Sequence, residues 1–263
     1  MFNPKLIITD LDGTALTDDK TILPGTIQAF SKCKKAGIPI AIATARYIKG
    51  ALPYAKALGV DYMILTDGTL IFEKEKLIYS NTMTPETTSM IINELVARNY
   101  TSHIAIPTEK NLYRFPYNEK ELTKSESQKQ DYTPGIKLDI HSPFPYPACK
   151  IVAEFTDDKA AKDIADKCGC SQFRYRGEDR FTFFDPSASK LNAIRFLCKY
   201  LDISISDVCC FGDDINDIEM ISECGFGIAM GNAIKEVRAA ADAVTGTNMN
   251  DGIANAISSY IIQ

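Results

Sequence analysis

Leu6-Ile7-Ile8-Thr9-Asp10-Leu11-Asp12-Gly13-Thr14 is a short β-branched run that ends on two carboxylates and a glycine turn. A run this brief and apolar suits a strand buried on both faces. Pro24 to Ala36 then shows the apolar spacing of an amphipathic helix. After it come the strand Ile38-Pro39-Ile40-Ala41-Ile42-Ala43, a helix over residues 46 to 58 and the strand Tyr62-Met63-Ile64-Leu65. Nearly continuous apolar strands alternating with helices predict an α/β fold with a parallel sheet covered on both faces. The same rhythm returns late in the chain. A helix from about Ala188 to Tyr200 precedes the strand Val208-Cys209-Cys210-Phe211. A helix from Asp214, the strand Phe226-Gly227-Ile228-Ala229 and helices near residues 233 to 240 and 252 to 260 follow.

Between these halves the texture changes. Ile71-Phe72 and Leu77-Ile78-Tyr79 read as a hairpin. Residues 81 to 186 mix helices at 85 to 98 and 157 to 167 with isolated strands at 101 to 106, 149 to 155, 172 to 176 and 180 to 185. The expectation is an α+β unit over 81–186 inserted into a core made of 1–80 and 187–263. Residues 118 to 135 are polar and aperiodic, which predicts a mobile loop or a solvated helix.

The whole chain has 263 residues, enough for two domains or for one domain carrying a large insertion. Its 45% apolar and 24% charged residues exclude a disordered or fibrous chain. With 29 Lys and Arg against 34 Asp and Glu, the net charge of −5 offers no basic footprint for nucleic acid or an anionic membrane. The insertion, with 14 basic and 16 acidic residues, is no nucleic-acid arm either. No apolar stretch approaches the roughly 20 residues that cross a bilayer, and Met1-Phe2-Asn3-Pro4-Lys5-Leu6 has no signal-peptide character, so a cytoplasmic location is expected. A chain with a core needs no disulfide staples, and the 8 cysteines read as reduced thiols. Cys168-Gly169-Cys170 lacks a second pair at zinc-site spacing, and Cys209-Cys210 lies inside an apolar run.

Each core strand ends in a polar group: Asp10 with Asp12, Thr44, Thr66 with Asp67, Asp213 with Asp214, and Gly231 with Asn232. Parallel strands bring such ends to one crevice, where open α/β sheets bind their ligands. Asp10, Asp12, Asp213 and Asp214 or Asp217 gathered there need a counter-ion, and all-oxygen ligation favours a hard cation, Mg2+. In Asp10-Leu11-Asp12 one carboxylate can attack while the other, protonated, donates to a leaving oxygen and later activates water. The alternative is a turn held by an Asx hydrogen bond from Asp12. Thr44-Ala45-Arg46 opens a helix and suits either an anion site or an ordinary N-cap. Lys190 stands at a helix start, where the macrodipole disfavours a cation unless an anion sits opposite; otherwise it is a solvated surface lysine. Gly212-Asp213-Asp214-Ile215-Asn216-Asp217 packs three acids and an amide into a strand-to-helix turn, more than capping requires, and reads as a metal site. Met230-Gly231-Asn232-Ala233 reads as a structural turn in the crevice wall.

Asp10-Leu11-Asp12-Gly13-Thr14, Thr44, Lys190 and Gly212-Asp213-Asp214-Ile215-Asn216-Asp217 resemble, in order and placement, the four motifs of the haloacid dehalogenase-like phosphohydrolases. The large insertion, Met230-Gly231-Asn232-Ala233 and Asp251-Gly252-Ile253-Ala254 are similar to the Cof-type subgroup, and the resemblance spans the chain. Three positions depart from the pattern: Ala45 and Leu191 stand where glycine is usual, and Asp67 where the third strand usually ends in Asn-Gly. The resemblance implies a Rossmann-like parallel-sheet core with an α+β cap, and a phosphatase that hydrolyses small phosphorylated metabolites, sugar phosphates or cofactor phosphates. Asp10 would form an aspartyl-phosphate and Asp12 would act as acid and then base. Mg2+ would be held by Asp10, the Asp12 carbonyl and Asp213, with Asp217 supporting its water shell. Thr44, Lys190 and the N–H groups of Leu11 and Ala45 would hold the phosphoryl oxygens, and Asn216 would hold phosphate or orient Lys190.

The cap would choose the ester. Arg46, Arg114, Tyr117, His141, Arg174 and Arg176 are the residues able to meet a leaving group, although each also suits a plain surface role. The two histidines, His103 and His141, enter no mechanism. Hinges are expected near residues 80 to 84 and 185 to 188. Two further readings stay open: a phosphomutase of the phosphomannomutase type, and a non-catalytic phosphate-binding module. The expected partner is a small phosphorylated metabolite, with no nucleic acid or membrane, and the expected state is a monomer or weak homo-oligomer.

Overall fold

Strand β1 (Leu6–Thr9) is made of four fully buried residues. In the computed structural model, which describes residues 1–116, 135–175 and 177–262, it lies inside an eight-stranded sheet. Helix α1 (Pro24–Lys35) buries the stripe Thr26, Ala29, Phe30 and Cys33, and gathers Lys32, Lys34 and Lys35 in its last turn, where cations complement the helix dipole. Strand β2 (Ile40–Ala43), helix α2 (Ile48–Leu58) and strand β3 (Tyr62–Leu65) follow. A short helical turn over Thr66–Gly68 then leads to β4 (Leu70–Glu73) and β5 (Lys76–Ser80), so the hairpin extends the core sheet.

The next stretch of chain contains α3 (Pro85–Ala97), β6 (Ile104–Pro107), β7 (Leu112–Phe115), β8 (Ile136–Lys137), β9 (Ile151–Glu154), α4 (Asp158–Cys168), β10 (Ser171–Arg174) and β11 (Arg180–Phe184). Strands β7 and β8 lie outside the sequence expectation. Leu112-Tyr113-Arg114-Phe115 has one buried position, so the alternation that marks a half-buried strand is faint. The six strands form a second sheet in the order β10-β11-β9-β6-β7-β8. Ile91, Ile92 and Leu95 of α3 and Ala161 and Ile164 of α4 share one core with Ile104, Ile151, Phe181 and Phe183 of the strands. Most of the segment expected to be a mobile loop or solvated helix, 118 to 135, lies outside the described residues.

The chain returns to the first sheet with α5 (Lys190–Tyr200), β12 (Val208–Gly212), α6 (Ile218–Glu223), β13 (Phe226–Ala229), α7 (Lys235–Ala240), β14 (Ala243–Val244) and α8 (Gly252–Tyr260). Two compact units result, Met1–Tyr79 with Ser189–Gln263, and Ser80–Ala188.

The first sheet runs β14-β13-β12-β1-β2-β3-β4-β5, with every pair from β14 to β3 parallel and β4 antiparallel. From β1 the chain moves out through β2 to β3, and the later segment returns to β1's other side through β12. Right-handed crossovers in opposite directions put helices on opposite faces. Accordingly α1 packs with α2 and α8, whereas α6 packs with α5 and α7. The order reverses between β1 and β12, and that reversal opens a crevice at the strands' carboxyl ends.

Candidate active site

Asp10 follows β1 directly, and its N–H donates to Phe211 O of the neighbouring β12 at 3.0 Å, which sets Asp10 beside the end of β12 and the turn that carries Asp213. Two glycines allow the approach. A Cβ on Gly13, whose φ is +78°, would stand 2.4 Å from Asp213 Oδ2, and one on Gly212 would stand 2.6 Å from Asp217 Cβ. Thr14 Oγ1 donates to Asp213 Oδ1 at 2.7 Å, tying the first motif to the last. The helix expected from Asp214 is a single 3-10 turn over Ile215–Asp217, and α6 starts at Ile218. In that turn Asp217 Oδ2 accepts from the N–H groups of Asp213 (2.9 Å) and Asp214 (3.1 Å), so its carboxylate shapes the loop.

Lys190 is 2% exposed, which decides against the surface-lysine alternative. It opens α5 after the N-cap Ser189, and its Nζ donates to Asp10 Oδ1 at 2.7 Å and to Asp217 Oδ1 at 2.6 Å. Burial opposes its charge, but the two carboxylates prevail and hold Lys190 protonated. Burial, with Asp217 and Asp213 adding to it against Lys190, raises Asp10 well above the carboxylate range. Burial also pushes Asp213 up to about 7, with Asp217 and Asp214 adding to the effect and the Thr14 bond opposing it.

These shifts mark a shortage of positive charge. Asp10, Asp213 and Asp217 are buried and offer carboxylate oxygens within 4.8 Å of one another, against one ammonium. Among the described residues, Oδ2 of Asp10 and Oδ2 of Asp213 accept no protein hydrogen bond. Two open carboxylate oxygens and two uncompensated negative charges fit a hard divalent cation.

Asp12 has different surroundings. Arg46 holds it by two bonds, Nε to Oδ2 and Nη2 to Oδ1, both 2.7 Å, and Lys20 Nζ adds a third to Oδ1 at 2.8 Å. Burial works against its ionisation, but the Arg46 bonds and charge, with Lys20, bring Asp12 down to about 2. Arg46 also lies over the Tyr54 ring at 5.1 Å. Its guanidinium thus sits on the Asp12 carboxylate. Nothing in the sequence near Lys20 marked it for this contact.

Thr44 is buried at the end of β2, and its Oγ1 accepts from the Arg46 N–H at 3.2 Å, which leaves the hydroxyl hydrogen to donate. Leu11 is buried, and its N–H has no protein acceptor among the described residues. Ala45 is half-buried beside them. Asn216 Nδ2 donates to Asp67 Oδ1 at 3.0 Å, while Asp10 and Asp217 hold Lys190. Asp67, one of the departures from the family pattern, is 6% exposed in a buried turn. Asn232 Nδ2 donates to Gly13 O at 2.7 Å and Asn248 Nδ2 to Leu16 O at 2.9 Å, so the Met230-Gly231-Asn232-Ala233 turn braces the first motif.

In the inserted unit, Arg174 leans over the Phe181 ring at 5.5 Å and faces Asp158 at 3.8 Å, His141 is exposed, and Arg114 is half-buried on β7. Tyr117 and Arg176 lie outside the described residues.

A parallel α/β core with an aspartate, a buried lysine and an acidic loop at its switch point is the framework of a phosphoryl-transfer enzyme. The model of one family, described as haloacid dehalogenase-like hydrolase, matches residues 7–257, and the chain belongs to that family. The pyridoxal phosphate phosphatase YbhA of Escherichia coli is 26% identical, over 98% of this chain and 99% of its own. The 5-amino-6-(5-phospho-D-ribitylamino)uracil phosphatase YcsE of Bacillus subtilis is 25% identical, over 98% and 96%. Among solved structures, the subclass IIB sugar phosphatase BT4131 shares the fold with a TM-score of 0.82 at 22% identity, over 97% of this chain and 98% of that one. The protein is a phosphoric monoester hydrolase. No helix among the described residues is long and apolar enough to cross a membrane.

Proposed function

We propose that the chain is a Mg2+-dependent phosphatase of sugar phosphates or cofactor phosphates that works through an aspartyl-phosphate on Asp10. The observation that carries the reading is the Asp10 carboxylate, with Oδ1 held by Lys190 and Oδ2 open. A carboxylate oxygen of Asp10 attacks phosphorus, forming an O–P bond as the bond to the leaving oxygen breaks. Lys190, the Thr44 hydroxyl and the N–H groups of Leu11 and Ala45 stabilise the phosphoryl oxygens. Asp10, the Asp12 carbonyl and Asp213 would hold the cation, with Asp217 supporting its water shell, and the ion when bound would neutralise phosphoryl charge.

Asp12 has both proton roles. The Arg46 and Lys20 clamp keeps it ionised at rest, the form that takes a proton from water when the aspartyl-phosphate is hydrolysed. Protonating the leaving oxygen in the first step requires a proton on Asp12 and release of at least one clamp bond. Residues 81–186 act as the cap that selects the ester, hinged near 80 to 84 and 185 to 188. The enzyme works in the cytoplasm, as a monomer or weak homo-oligomer.

The test is phosphate release from a panel of sugar, cofactor and nucleotide monophosphates with and without Mg2+, for wild type and Asp10→Asn. Mg2+-dependent turnover that Asp10→Asn abolishes is expected. Turnover unchanged in Asp10→Asn, or equal in chelator, would sink the reading.

A further inference from the structure

We propose that Asp67 is a positioning residue for the catalytic site, acting through Asn216 and through the turn that it occupies; the inference rests on the phosphatase reading above. Thr66, Asp67 and Gly68 are three successive left-handed residues, with φ of 49°, 60° and 93°. Glycine adopts this conformation freely and aspartate tolerates it, but a β-branched threonine there is an outlier. Such a backbone persists only where its surroundings over-determine it.

The surroundings are the other motif loops. The Thr66 N–H donates to Arg46 O and the Asp67 N–H to Thr44 O, both at 3.1 Å, which fastens the turn to the second motif. At Gly68 a Cβ would stand 2.1 Å from Ser189 O and 2.8 Å from Lys190 N, so the turn lies flat against the start of the helix that carries Lys190. The Asp67 side chain reaches the fourth motif, with Oδ1 accepting from Asn216 Nδ2 at 3.0 Å. One buried turn thus touches the loops that present Thr44, Lys190 and Asp217.

The side chain adds a specific instruction. A carboxylate only accepts, so Asp67 requires the amide of Asn216 to turn its Nδ2 inward. Asn216 immediately precedes Asp217, whose carboxylate holds Lys190 and the N–H groups of Asp213 and Asp214. Fixing Asn216 therefore fixes the approach of Asp217 to Lys190. An isolated strand-to-strand turn has no need of a buried carboxylate or a left-handed threonine.

The experiment compares kcat, KM and melting temperature for wild type, Asp67→Ala, Asp67→Asn, Asn216→Ala and the double variant Asp67→Ala/Asn216→Ala. Asp67→Ala is expected to lower kcat by about tenfold or more, with KM changed by less than about twofold. Asp67→Asn keeps a carbonyl acceptor for the same bond and is expected to recover most of kcat. The double variant is expected to be no slower than the slower single variant, since both remove one interaction. Wild-type kcat in Asp67→Ala, failure of Asp67→Asn to recover, or fully additive losses would each overturn the inference. If Asp67→Ala does not fold, Asn216→Asp with and without Asp67→Asn decides. Recovery of kcat by the reversed pair supports the contact, and no recovery overturns it. A wild type that releases no phosphate overturns the phosphatase reading instead.

Discussion

Lys190 Nζ lies 2.7 Å from Asp10 Oδ1 although the two residues are 180 positions apart, and both are buried. The ammonium is the counter-charge that keeps the first carboxylate oxygen of Asp10 in place while its second stays open. Replacing Lys190 by methionine preserves the bulk of the stem and removes the charge, leaving Asp10 and Asp217 uncompensated in the interior. The expected cost is about 3 to 5 kcal/mol of stability, read by urea unfolding in chelator, together with loss of turnover. Lys190→Arg is expected to stay inactive, because a planar fork cannot replace a compact ammonium between two carboxylates. A Lys190→Met variant as stable as wild type would show that the pair is not the buried contact described.

Asp213, held near 7 by burial, sets a pH dependence that a divalent cation should abolish. Its folded value lies above the unfolded one, so its contribution is present below the unfolded carboxylate range and is lost as pH rises towards about 7. Asp10 shifts in the same direction. In chelator the melting temperature should therefore receive a declining contribution between about pH 4 and 7. Added Mg2+ should raise it progressively more over that window. A stabilisation by Mg2+ that does not grow with pH would separate these carboxylates from the ion.

Asp12 works in the opposite sense. With its value lowered to about 2, its stabilising contribution is present above the unfolded carboxylate range and is lost as pH falls towards about 2. Arg46→Met should return Asp12 towards ordinary behaviour and flatten the acid limb of a melting-temperature profile between about pH 4 and 2. The effect should be small, because the Asp12 side chain is 39% exposed and water screens the pair. An unchanged acid limb in the variant would mean that Arg46 does not set the ionisation of Asp12.

Gly13 should tolerate no side chain. Gly13→Ala places a Cβ 2.4 Å from Asp213 Oδ2 on a backbone with φ of +78°. The expected result is at least about 1 kcal/mol of lost stability and a larger relative loss of kcat, because Asp213 must move. Calorimetry and initial rates check this together. A fully active Gly13→Ala would place Asp213 away from the reaction.

Asn232→Ala removes the donor to Gly13 O, the brace on the same turn. A loss of about 1 to 2 kcal/mol is expected from the unpaired carbonyl, with phosphate release reduced less than in Gly13→Ala. Equal thermal stability in Asn232→Ala and wild type would remove that brace from the account.

The strands β1, β3 and β13 were legible from apolar runs bounded by turns, because burial on both faces writes itself into consecutive residues. Strand β7 was not, since Tyr113, Arg114 and Phe115 are each half-buried. The motif carboxylates were legible by their density. Lys20 and Asn248 were not, because a lysine or asparagine in a turn carries no local mark of the carboxylate or carbonyl it will meet.

Local periodicity and composition marked most of the core strands and helices and the carboxylates that gather at the strand ends. These depend on how each short segment meets water, and a segment carries that information within itself. Strand order, the burial of Lys190 between Asp10 and Asp217, the clamp on Asp12 and the left-handed turn at Asp67 were decided only by the tertiary structure. Each depends on a partner brought close by β1 pairing with both β2 and β12 or by loops gathered at their ends, and no local preference of the chain encodes that meeting.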